Sequence, residues 1–154
     1  MRRNLALAAL LALAVLLIAA TGADRLQARA ADEEAKGTVL LNITSGKEDL
    51  HAVTMACQLA GHALDDGRTV VLFLNVRAPE FARQDLSEEF VLRDNPPLRD
   101  MLASLMARGA QVIVCPHCME VMGVGEGDLI EGARIASRQT LFAHLGPDTV
   151  VFSY

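Results

Sequence analysis

Apolar positions along the chain fall into two regimes. From Leu5 to Ala20 they form one unbroken run of sixteen Leu, Ala, Val and Ile residues. Beyond residue 37 they break into short runs and helical stripes. Thr38 to Ile43 (TVLLNI) is rich in β-branched residues and Leu and ends in Thr44-Ser45-Gly46, which predicts a strand running into a turn. In Asp49 to Asp66, Val53, Cys57, Ala60 and Leu64 recur at spacings of four, three and four, placing them on one face of a helix that Asp65-Asp66-Gly67 ends. Thr69 to Val76 (TVVLFLNV) is continuously apolar, the mark of a strand covered on both faces, as in parallel sheets.

Ala78 to Asn95 is a long, charge-mixed connection interrupted by Phe81, Leu86, Phe90 and Val91, so it is expected to dock in part, as a lid or an interface. Pro96-Pro97 opens a second helix whose apolar face carries Leu98, Met101, Leu102, Leu105 and Met106, with Gly109 closing it. Gln111 to Val114 (QVIV) is a third strand. Asp128 to Ile135 reads as a turn or short helix, Ser137 to Leu145 as a third helix, and Thr149 to Phe152 (TVVF) as the last strand. Alternating strands and helices predict an α/β single-domain three-layer sandwich with a mostly parallel central sheet and flavodoxin- or Rossmann-like layering.

The long apolar run changes the domain count. Arg2 and Arg3 precede it, and the small residues Thr21-Gly22-Ala23 and Ala28-Arg29-Ala30-Ala31 follow, the pattern of a secretory signal cleaved after Ala23 or Ala30. Sixteen apolar residues fall short of the about 20 a membrane span needs, so an uncleaved anchor is the alternative and the only expected membrane contact. The expected organisation is a signal over 1–30, a leader over 31–37 and a domain over 38–154, in a periplasmic protein. Four of the fourteen basic residues and one of the nineteen acidic ones lie in the first thirty, which leaves ten basic against eighteen acidic, a net charge of −8. An acidic domain of this kind excludes nucleic acid as a partner, because phosphate contacts supply most of that affinity. With no Trp and one Tyr, an aromatic stacking platform is excluded too.

Three cysteines are too few for a disulfide scaffold. Cys57 lies on the buried face of the first helix, where a free thiol acts as a small hydrophobe. Cys115 and Cys118 stand in Cys115-Pro116-His117-Cys118-Met119, just past the carboxyl end of the third strand, where open α/β sheets place their ligands. Backbone N–H groups of a following helical turn, or a protonated His117, would favour a thiolate there. Spacing alone leaves three chemistries open: a reactive thiol, a disulfide, and a soft-metal site in which Cys115, His117, Cys118 and Met119 suit Cu(I). Zinc would need His51, His62 or His144 as well. His51 and His62, eleven residues apart on one helix, share a face but lie too far apart to chelate one ion.

Cys-Pro-His-Cys also suits a strongly oxidising dithiol protein in an exported compartment. Its place in this chain argues against a thioredoxin-like fold, since three strands and two helices precede it and only 36 residues follow. Thr44-Ser45-Gly46 is an anion cradle by position, but without a full Gly-rich pattern a simple turn is the plainer reading.

The first strand with its Thr44-Ser45-Gly46 turn, the long helix, the Thr69–Val76 strand, the CPHCM segment, then Gly123, Asp128-Leu129, Gly132 and the closing Thr149–Tyr154 together resemble the DsrE/DsrF-like family across residues 38–154. That resemblance implies a compact DsrE-like α/β fold, assembly as a homo-oligomeric trimer or hexamer, and relay of sulfur as a persulfide on a cysteine, with no separate cofactor. Carried over, Cys115 is the sulfur acceptor and Cys118 its partner, with His117, Met119, Ser45 and Gly46 as pocket support. A thiolate attacks the outer sulfur of a donor persulfide and hands it to the next thiol, which needs a nucleophile of lowered pKa, a sheltered pocket and little else. Cys118 would resolve the persulfide, releasing sulfide and leaving a Cys115–Cys118 disulfide. The export signal and the second cysteine set this chain apart from the cytoplasmic relay members, so the donor and acceptor proteins are not specified.

Overall fold

A computed structural model describes residues 36–154, and the expected signal segment and most of the leader lie outside the described residues. Five strands form one sheet: β1 (Thr38–Ile43), β2 (Thr69–Leu74), β3 (Gln111–Val114), β4 (Arg134–Ile135) and β5 (Thr149–Ser153). Their order is β4-β3-β2-β1-β5, and every pairing is parallel. Three α-helices, α1 (Leu50–Asp65), α2 (Leu98–Ala107) and α3 (Pro116–Met122), and four short 3-10 turns complete the regular structure of the described residues. The expected α/β class with a parallel central sheet is what is found.

Helix α1 starts where Asp49 accepts the Ala52 N–H at 3.0 Å, satisfying one of the amides a helix start leaves free. It stops in a Schellman turn: Gly67, at φ 76°, donates to the Leu64 carbonyl and Arg68 donates to that of Ala63. The stripe read from the sequence is the buried one, with Val53, Cys57 and Ala60 inside, joined by Thr54, Ala56 and Ala63.

Period-2 alternation sends successive strand residues to opposite faces. Leu41, Ile43, Leu72, Leu74, Val112 and Val114 meet the helices in the main core, where Leu98, Leu102 and Leu105 of α2 and Met119 of α3 are buried. Fully burying each such side chain is worth about 1.5–3 kcal/mol. Leu40, Val71 and Ile113 face the other way and are covered by Leu141 and Leu145 from the connection between β4 and β5. That connection is the thin third layer.

The expected helix over Ser137–Leu145 is not formed; the segment holds a single 3-10 turn, Phe142–His144. Ser137 and Thr140 tie off the chain instead, each side-chain oxygen accepting the other's backbone N–H at 2.7 and 3.1 Å, while the Thr140 hydroxyl donates to the Ile135 carbonyl. Such local side-chain bonds compete directly with helix. Asp128–Ile135, read as a turn or short helix, ends in the edge strand β4. The second strand stops at Leu74, two residues short of expectation, because Val76 turns to φ 55°. The connection after β2 docks as expected: Phe81 and Leu86 are buried, and Phe90 meets Phe81 edge-on at 5.9 Å.

Candidate functional site

Cys115 leaves the sheet in register. Its N–H donates to the Leu74 carbonyl at 2.9 Å, extending the β2–β3 ladder by one residue. Pro116, which has no N–H to lose, then opens α3, and the Met119 N–H donates back to the Cys115 carbonyl at 2.9 Å. Met119 plugs the main core, which fixes the rotation of this short helix. Residues three apart share a helical face, so Cys115 and Cys118 come out on one side of α3. Both are free and partly exposed.

The chain leaves β3 toward the helical face, through α3, and leaves β4 toward the opposite face, through Leu141 and Leu145. The connections after β3 and β4 thus diverge at this end of the sheet, and Cys118 reaches the other way, to the loop after β2.

Cys118 Sγ accepts the main-chain N–H of Val76 at 3.1 Å, across 42 residues of sequence. Burial pushes the Cys118 thiol up from its ordinary value, and its hydrogen bond with Cys115 pushes the same way, while the Val76 amide pulls it down. Cys57, by contrast, is sealed in the core and burial alone pushes its thiol up to about 12.

The other expected site residues divide. His117 is exposed and Met119 is turned into the core, so the four soft donors of the CPHCM segment do not converge on one point. Among the described residues no group of three or more His, Cys, Asp and Glu side chains is gathered in a way that could hold a metal ion. His51 and His62 are exposed on α1, and His144 lies against Arg134 at 3.2 Å.

Ser45 and Gly46 sit at the end of β1, with β2 and the loop after it between them and the cysteines. Their amides are already engaged. Thr44 and Ser45 donate to the Tyr154 main-chain oxygen at 2.7 and 3.3 Å, Gly46 donates to Glu48 Oε1 at 3.0 Å, and Lys47 donates to Glu80 Oε1 at 2.9 Å. A Cβ on Gly46 would lie 2.8 Å from Arg77 Cβ, so this close approach requires glycine. The cradle is filled by the protein's own acceptors.

Val76 is the site residue that sequence reasoning missed. It looks like one more strand valine in TVVLFLNV, and nothing in that run signals a left-handed φ.

The DsrE/DsrF-like family matches residues 38–148. An uncharacterised protein of Methanocaldococcus jannaschii, MJ0989, is 33% identical over 98 residues, covering 64% of this chain and 80% of that one. Among solved structures, YchN of E. coli superposes with a TM-score of 0.56 at 19% identity, and MTH1491 of Methanobacterium thermoautotrophicum, a protein of unknown function, with 0.57 at 13%. Each covers 77% of this chain and 99% of its own. These two likenesses are of fold. With the family match spanning the whole sheet up to the start of β5, the chain belongs to the DsrE/DsrF-like family, a family generally linked to sulfur relay.

Proposed function

We propose that this chain is an exported sulfur-handling protein that takes up a persulfide sulfur on Cys115 and discharges it with the help of Cys118. The observation that carries the reading is the pair itself: two free, partly exposed thiols three residues apart past the carboxyl end of a central strand, one of them receiving the Val76 N–H. In the uptake step the Cys115 thiolate attacks the outer sulfur of a donor persulfide. The new bond joins Cys115 Sγ to that sulfur, the donor's S–S bond breaks, and the donor leaves as a thiolate.

Export rests on the residue 1–30 pattern. Assembly as a homo-oligomer is supported by the edge strand β5, whose Val150, Val151 and Phe152 are all exposed, with Phe142 exposed nearby in sequence. The β1–β5 register puts Val150 and Phe152 on the helical side and Val151 on the other. An uncharged, bulge-free edge with apolar side chains on both faces is what natural proteins cover.

The test is intact-mass measurement on the reduced, purified chain after exposure to a persulfide donor. The expected result is a gain of one sulfur atom in Cys118→Ser, where the sulfur cannot be discharged, that is lost when Cys115→Ser is added. No gain, or a gain that persists in Cys115→Ser, overturns the proposal.

A further inference from the structure

We propose that the main-chain amide of Val76 is a positioning group that orients the Cys118 sulfur and favours its thiolate when Cys115 carries sulfur, making Cys118 the sulfur that discharges the pair. The inference rests on the sulfur-handling reading above and adds a residue and a direction to it.

Four consecutive amides follow β2, and their partners differ in kind. Asn75 donates to the Ile43 carbonyl at 3.0 Å, Arg77 to that of Thr44 at 3.3 Å and Ala78 to that of Asn75 at 3.0 Å. Val76 alone is aimed at a side-chain sulfur. To aim it, a β-branched residue adopts φ 55°, a conformation that such side chains strongly disfavour. Burial does not explain the choice, because the Val76 side chain is 50% exposed. The turn is braced independently by Asn75 Nδ2, which donates to Asn42 Oδ1 at 2.6 Å. Strained backbone that the surroundings hold in place, with a donor pointed at a reactive atom, is the pattern of a functional position.

The chemistry follows from what an N–H does to sulfur. It bonds a thiolate more strongly than a thiol, so it favours the form of Cys118 that can attack. With a persulfide on Cys115, the Cys118 thiolate forms a bond to Cys115 Sγ. The bond from Cys115 Sγ to the outer sulfur breaks, and its electron pair leaves with that sulfur as hydrosulfide. The outer sulfur is reduced and the two cysteine sulfurs are oxidised to a disulfide, so the step balances without another oxidant. An external dithiol resets the pair by exchange, attacking Cys115 Sγ and expelling Cys118 as a thiolate onto the same amide.

The experiment replaces the amide and keeps the side chain, Val76→α-hydroxyisovaleric acid, in full-length protein. In a Cys115→Ser background, the alkylation rate of Cys118 is followed against pH. Losing the N–H is expected to raise the midpoint by about one unit, a roughly tenfold change, in keeping with the worth of one charge-assisted hydrogen bond. Val76→Gly, which keeps the N–H, leaves the midpoint in place. Ala78→lactic acid, which removes an amide of the same turn that does not face sulfur, also leaves it in place. With Cys115 present, the Val76 ester is expected to slow hydrosulfide release from the persulfidated protein by about tenfold. An unmoved midpoint in the Val76 ester, or an equal shift in the Ala78 ester, overturns the inference. If Cys115 never accepts sulfur, the functional proposal fails, yet the Cys118 midpoint still decides the role of Val76.

Discussion

Thr44 grips the main-chain oxygen of Tyr154 twice, with its N–H at 2.7 Å and its hydroxyl at 2.8 Å. Tyr154 answers by donating its own N–H to the Asn42 carbonyl at 2.9 Å. The grip locks β5 onto β1 at the same end of the sheet as the cysteine pair. It also occupies the cradle that Thr44-Ser45-Gly46 offers an anion. Thr44→Val keeps the shape and the N–H but loses the hydroxyl. The expected cost is about 1 kcal/mol of stability, seen as a lower urea midpoint at unchanged slope.

Val76→Gly should stabilise the fold. The left-handed conformation costs a residue with a Cβ about 1–2 kcal/mol that glycine does not pay, and an exposed side chain leaves little packing to lose. Chemical denaturation of the two proteins side by side checks this. A less stable glycine variant would mean that the valine side chain holds the turn.

Cys57 should govern stability at high pH. Its thiol ionises near its ordinary 9.0 when unfolded and only at about 12 when folded. Between those values the unfolded state has lost a proton that the folded state keeps, so stability falls as pH rises. The slope is about 1.4 kcal/mol per pH unit. Cys57→Ala should flatten that decline above pH 9. For the same reason, alkylation of the native protein at neutral pH should modify Cys115 and Cys118 while Cys57 reacts only after unfolding.

Edge strand β5 yields the prediction on assembly. Val151→Glu or Phe152→Glu places a charge on an exposed side chain, so the fold should survive while any contact made there is lost. Light scattering is expected to show an oligomer for the parent chain and a smaller species for either variant. A monomeric parent at micromolar concentration would end the homo-oligomer proposal.

What the sequence reveals follows from how local each cause is. Strands β1 and β3 appear at their full lengths, because a β-branched run between breakers needs no distant partner to be recognised. The buried stripe of α1 follows from its period, and the inertness of Cys57 follows from the stripe. Ser137–Leu145 misleads because its apolar spacing suits a helix, while the Ser137–Thr140 side chains hydrogen-bond the backbone out of one. Strand β4 is two residues long, too short for any periodicity, and exists because Ile135 lines up beside Val114.

By itself the sequence determined the α/β class, the family, the buried thiol and the place of the Cys115/Cys118 pair at the end of a central strand. These depend on residue type, period and neighbours within one element. Only the tertiary structure decided that Met119 points inward and His117 outward, that Tyr154 fills the Thr44 cradle, and that the Val76 amide reaches Cys118. Each of these is a contact between segments far apart in the chain, or a rotation set by such a contact. No local pattern encodes the direction of a single N–H.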